Sequence, residues 1–125
     1  MIQKRVRVVL MIVVIAFLLT ACRSTGKPDN VSDPAYNAGL RAIQIADNYL
    51  DYKITREEAK EQMDEIFSRN PYDKDNYSGD SGVEIYVDSV YLSFGSSFGR
   101  NSDGIEANVL TARNQLAEKI NQPKR

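Results

Sequence analysis

Apolar residues in this chain first run unbroken and then recur every three or four positions. The unbroken run spans Val8 to Leu19. Further on, Tyr36, Leu40, Ile43, Ala46 and Leu50 fall on one side of a 3.6-residue spiral. Ser32-Asp33-Pro34 ahead of them supplies a capping side chain and then Pro in the first turn, where its missing N–H is harmless. The pattern predicts a helix over 33–51. It breaks at Tyr52-Lys53-Ile54 and restarts at Thr55-Arg56-Glu57-Glu58, a capping box in which each end satisfies the other's backbone N–H. Ala59, Met63, Ile66 and Phe67 form the buried side of a helix over 56–69, which Asn70-Pro71 stops. So short a connection predicts an antiparallel hairpin.

The stretch from Val83 to Phe98 carries two periods. Val83, Ile85 and Val87 alternate like a strand, whereas Val83, Val87, Val90, Phe94 and Phe98 fit a helix. A lone strand leaves its backbone groups unpaired, and no second strand is in sight. A helix over 82–98 is therefore expected, with Ser81-Gly82-Val83-Glu84 as its capping box and Gly99 as its C-cap. Ile105, Val109, Ala112, Leu116 and Ile120 predict a last helix over 104–121, and Pro123 lies beyond it. Four amphipathic helices bury their stripes only against one another, so the expected fold is all-α, a small bundle over 32–122.

The first 22 residues follow a different logic. Lys4, Arg5 and Arg7 precede the apolar run, which is short for a permanent span. Leu19-Thr20-Ala21-Cys22 then closes it. This segment resembles the signal and lipobox of bacterial lipoproteins. The resemblance implies a signal peptide over 1–21, a diacylglyceryl group on the Cys22 thiol, and cleavage before it. Two acyl chains hold a protein stably on a membrane where one does not. The implied place is the extracytoplasmic side of the cell membrane. Arg23 is not the Asp that would favour inner-membrane retention, so the outer membrane stays open in a two-membrane cell. Residues 22–31 are polar and rich in Gly, Pro and Ser, and read as a flexible tether.

Composition narrows the chemistry. Without residues 1–21 the chain keeps thirteen Lys plus Arg against seventeen Asp plus Glu, a net charge near −4. That balance argues against nucleic acid as a partner. The chain has no His, and its one Cys is the expected acylation site. Ser-His and Cys-His catalysis and nearly all zinc sites are thereby closed, so neither an enzyme nor a cofactor is expected.

The hairpin Tyr49-Leu50-Asp51-Tyr52-Lys53-Ile54-Thr55-Arg56-Glu57-Glu58-Ala59 resembles the short bacterial helical hairpin called SHOCT, over about 40–67, although its turn lacks the Gly of that pattern. It also looks like the hairpin of small uncharacterised bacterial lipoproteins. Neither likeness implies an activity.

Candidate ligand groups cluster in the polar loop after Pro71. Counted from Asp73 as a calcium loop, Asp75 falls at position three and Glu84 at twelve. Tyr77 and Ser78 occupy positions five and six, where an oxygen ligand and Gly belong. No metal site is expected; the loop reads as solvated, with Ser81 and Glu84 capping the next helix. Tyr52, Tyr72 and Tyr77 are the expected exposed aromatics, a surface suited to a glycan or peptide. The acidic positions Glu57, Glu58, Glu61, Asp64 and Glu65 read as a solvated, ion-paired helix face. The resulting expectation is a lipid-anchored helical interaction module that meets an envelope protein or glycan. The alternative is a small-ligand, glycan or Ca2+ binding module built on the 70–84 loop.

Overall fold

The computed structural model describes residues 26–95 and 102–125. Among them are four helices and no strand: α1 Asp33–Leu50, α2 Arg56–Arg69, α3 Asp80–Ser93 and α4 Ser102–Lys119. The chain is an all-α bundle.

The caps of the first two helices form as the sequence requires. Ser32 Oγ accepts from the Ala35 N–H, with Pro34 in the first turn. Thr55 Oγ1 accepts from the Glu58 N–H at 3.1 Å, and Glu58 Oε1 accepts from the Thr55 N–H at 3.4 Å. Asn70 ends α2 in the left-handed region, a conformation Asn tolerates, and Pro71 follows.

The stretch with two periods is helical. Val83, Val87, Val90 and Phe94 are fully buried along one side, while Ile85, which alternation would place with Val83 and Val87, is 62% exposed. Its boundaries differ from the expected 82–98. The helix starts at Asp80, after Gly79, with no side-chain cap. The Ser81–Glu84 capping box does not form, because both residues already lie inside the helix and Lys74 holds Glu84 at 2.9 Å. The helix ends at Ser93, where the Phe94 and Gly95 N–H groups tighten onto the Tyr91 and Leu92 carbonyls. Phe98 and Gly99 lie outside the described residues, as do the expected signal over 1–21 and Cys22.

α1 and α3 run side by side in the same direction. Ser32 meets Asp80 at one end, and the Tyr49 and Phe94 rings meet edge to face at 5.2 Å at the other. α4 returns against both, with Arg113 beside Asp47 and Tyr52 beside Glu106. Gly39 allows the α1–α4 approach, since a Cβ there would sit 2.9 Å from Ile120 Cδ1. α2 flanks this trio, resting on α1 through Ala59, Met63 and Ile66 and reaching α3 through the Phe67–Tyr91 edge contact at 5.0 Å. The core has no disulfide to rely on and is mainly aliphatic, with Ile45, Met63, Leu116 and Ile120 fully buried.

Residues 26–31, expected to belong to a flexible linker, pack on the bundle. Val31 is fully buried, the Gly79 N–H donates to the Asn30 carbonyl at 2.8 Å, and Asn121 Nδ2 donates to the Gly26 carbonyl at 3.2 Å. Apolar Val31 gains more by burial than a polar linker residue would. Beyond α4 the chain turns back at Asn121, φ 57°. Arg113 Nη1 donates to the Pro123 carbonyl at 2.6 Å, and Arg125 reaches Asp47 and Asp51.

Candidate functional site

The 70–84 loop is organised by Asp80. Its carboxylate is fully buried; Oδ1 accepts from the Ser32 N–H at 2.8 Å, and Oδ2 accepts from the Ser32 hydroxyl at 2.5 Å and the Asp73 N–H at 2.8 Å. One carboxylate thus joins the start of α1, the loop and the start of α3. Buried carboxylates persist where such donors surround them. In sequence Asp80 looks like another solvated loop acid. No local signal marks it, because its main partner lies 48 positions away.

The other loop acids serve the loop's own turns. Asp73 Oδ1 and Oδ2 accept from the Asn76 side chain at 3.1 Å, Lys74 pairs with Glu84, and Asp75 is exposed. Among the described residues no three His, Cys, Asp or Glu gather where they could hold a metal ion.

The three tyrosines singled out from sequence do not meet. Tyr52 is 79% exposed on the α1–α2 turn, at φ 59°, and its hydroxyl bonds Glu106 Oε2 at 3.3 Å. Tyr77 is exposed at the opposite end, with the Lys27 ammonium 5.9 Å from its ring centroid. Tyr72 is not an exposed aromatic: its ring packs against the core, and its hydroxyl is buried with no hydrogen-bond partner. Burial first, then the charges of Asp88, Glu84 and Asp80, push that phenol up. Burial, then Glu84, likewise raises the Asp88 carboxyl. Tyr36, Tyr49, Tyr86 and Tyr91 sit at the core edge, and the acidic positions of α2 face solvent.

A groove absent from the sequence reading opens between α1 and α2, with a volume of about 430 Å³. Pro34, Ala38, Ile66 and Pro71 make its apolar floor, and Arg41, Glu65 and Arg69 line it with charge. Gln44 and Gln62 hold the Arg41 guanidinium at 2.9 and 3.3 Å. Its size is that of a small-molecule cleft.

No protein-family model, curated protein or solved structure matches the chain. Among the described residues no helix is long and apolar enough to cross a membrane.

Proposed function

We propose that this chain is a lipid-anchored extracytoplasmic lipoprotein whose helical domain acts as an interaction module. The observation that carries the reading is Leu19-Thr20-Ala21-Cys22 placed directly after a basic start and a twelve-residue apolar run. The domain's shape supports it. Residues 26–31 pack onto the end of the bundle that holds Ser32, Asp80 and Asn121. Only four links separate Cys22 from Gly26, a reach of about 14 Å. That end then faces the membrane, and the α1–α2 turn carrying exposed Tyr52 faces away.

Metabolic labelling with a tagged fatty acid, followed by membrane fractionation, tests the anchor. The native chain takes up label and sediments with membranes, and Cys22→Ser does neither. A Cys22→Ser chain that is still cut before residue 22 and stays on the membrane overturns the reading.

A second reading, a small-ligand module, is favoured by the α1–α2 groove beside Pro71. Its charges suit a carboxylate or phosphate bound by Arg41 and Arg69. A thermal-shift screen of small anions, repeated on Arg41→Ala, tests it.

A further inference from the structure

Three charged residues line the α1–α2 groove: Arg41, Glu65 and Arg69. Among the described residues none of the three makes an ion pair, either with another or with a residue outside the groove. The bond from Arg41 to Gln62 at 3.3 Å sets the register of the two helices, which run in opposite directions on either side of the hairpin turn. Stepping along α2 from Gln62 to Arg69 therefore leads away from Arg41 and back towards Pro34. Arg41 and Arg69 mark opposite ends of the groove, about 10 Å apart along the helices. Between them, Ala38 and Ile66 give an apolar floor, and Glu65 stands one turn short of Arg69. Read from one end to the other, the groove is positive, negative, positive.

We propose that the groove binds a free acidic α-amino acid. The proposal rests on the small-ligand reading of this groove and names the class of ligand. An acidic amino acid carries a carboxylate, an ammonium beside it and a second carboxylate further on, which is the charge order of the groove inverted. Its α-carboxylate pairs with Arg69 and its α-ammonium with Glu65, one turn away on the same helix. The side-chain carboxylate reaches Arg41, and the methylenes between lie on Ala38 and Ile66. Arg41 is held ready for this: Gln44 and Gln62 each take one of its N–H groups, and the remaining donors of the guanidinium are left for a carboxylate. The same order of charges rejects near relatives of the ligand. A plain dicarboxylate answers both guanidiniums but leaves Glu65 facing an anion, and a neutral amino acid leaves Arg41 unanswered.

Titration of the full chain in detergent with L-glutamate, glutarate and L-glutamine, each followed by calorimetry and thermal shift, tests the proposal. L-Glutamate is expected to bind about tenfold tighter than either of the others. Glu65→Gln, at an exposed position, should abolish the preference over glutarate, and Arg41→Gln the preference over L-glutamine. Helical circular dichroism and the melting temperature without ligand check that both variants keep the fold. Glutarate or L-glutamine binding as tightly as L-glutamate overturns the amino-acid assignment and leaves a general anion site standing. A preference over glutarate that survives Glu65→Gln overturns it as well. If none of the three binds and phosphate gives no thermal shift, the small-ligand reading falls and the assignment falls with it.

Discussion

Asp80 holds the N-terminus of α1 through Ser32: the carboxylate takes both the backbone N–H and the hydroxyl of that residue. Ser32 Oγ meanwhile accepts from the Ala35 N–H. The hydroxyl therefore caps one helix while tying it to the start of another, and the first turns of α1 and α3 are fixed as a pair.

Removing that carboxylate leaves the buried Ser32 N–H and the half-buried Asp73 N–H without their acceptor. Hydrogen bonds to a charged group contribute about 1.5–3 kcal/mol each, and an unmet buried donor adds its own desolvation cost. Asp80→Ala is expected to destabilise the domain by about 3–5 kcal/mol, a fall in Tm on the order of 15 °C. Asp80→Asn loses less, since its amide oxygen still accepts. Urea unfolding followed by circular dichroism measures both; a loss under about 1 kcal/mol for Asp80→Ala would contradict this role.

Tyr72 presents the opposite situation. Its hydroxyl is buried with no partner while its ring fills space against the core. Tyr72→Phe keeps the ring and removes the unmet group, so stability is expected to rise by about 1 kcal/mol. Chemical denaturation decides it, and a destabilised Tyr72→Phe would mean that the hydroxyl has a partner in solution.

These two residues also mark where the sequence stops being legible. Patterns repeating within one helix could be read directly: α1, the Thr55–Glu58 box and the Asn70-Pro71 stop all form, although the buried side of α1 is centred on Ala35, Ala38, Ala42, Ile45 and Ala46, with Tyr36, Leu40 and Leu50 of the expected stripe at the core edge. The choice of helix for the fourfold-spaced valines succeeds because the valine face is buried while Ile85 points outward. What failed depends on distant partners. Ser81 and Glu84 matched a capping box by spacing, but with Asp80 accepting from Ser32 the helix starts at Asp80, two residues before the expected 82. Tyr72 sat among polar neighbours and looked exposed until the fold placed α3 beside it. The α1–α2 groove likewise exists only once Arg41 and Arg69 are brought onto one surface.

Tyr52 adopts φ 59°, a conformation that costs an L-residue about 1–2 kcal/mol and glycine almost nothing. Its hydroxyl bonds Glu106 at an exposed site. Tyr52→Gly sheds that strain but adds freedom to the unfolded chain, so its stability is expected to change by less than about 0.5 kcal/mol, whereas Tyr52→Val, β-branched in the left-handed region, costs about 1–2 kcal/mol. Both variants delete the hydroxyl, so the difference between their unfolding midpoints no longer contains the Glu106 bond. Equal stabilities would exclude a left-handed residue 52 in solution.

The C-terminal clasp has a pH dependence whose sign follows from its partners. Arg125 Nη2 donates to Asp51 Oδ1 at 2.8 Å, and this bond holds the Asp51 carboxyl below its ordinary 3.8. The folded chain thus favours ionised Asp51 more than the unfolded chain does. The contribution is complete above the ordinary carboxylate range and is lost as pH falls through the lower folded value. Arg125 should therefore stay clasped at neutral pH and be released only in acid. The side-chain N–H resonances of Arg125 report it: they should shift together with Asp51 below pH 3.8. In Asp51→Asn they should lose that transition and keep only the contact to Asp47, which Arg125 Nη1 makes at 3.2 Å. A transition at the ordinary Asp value, or one unchanged in Asp51→Asn, would show that the clasp does not form in solution.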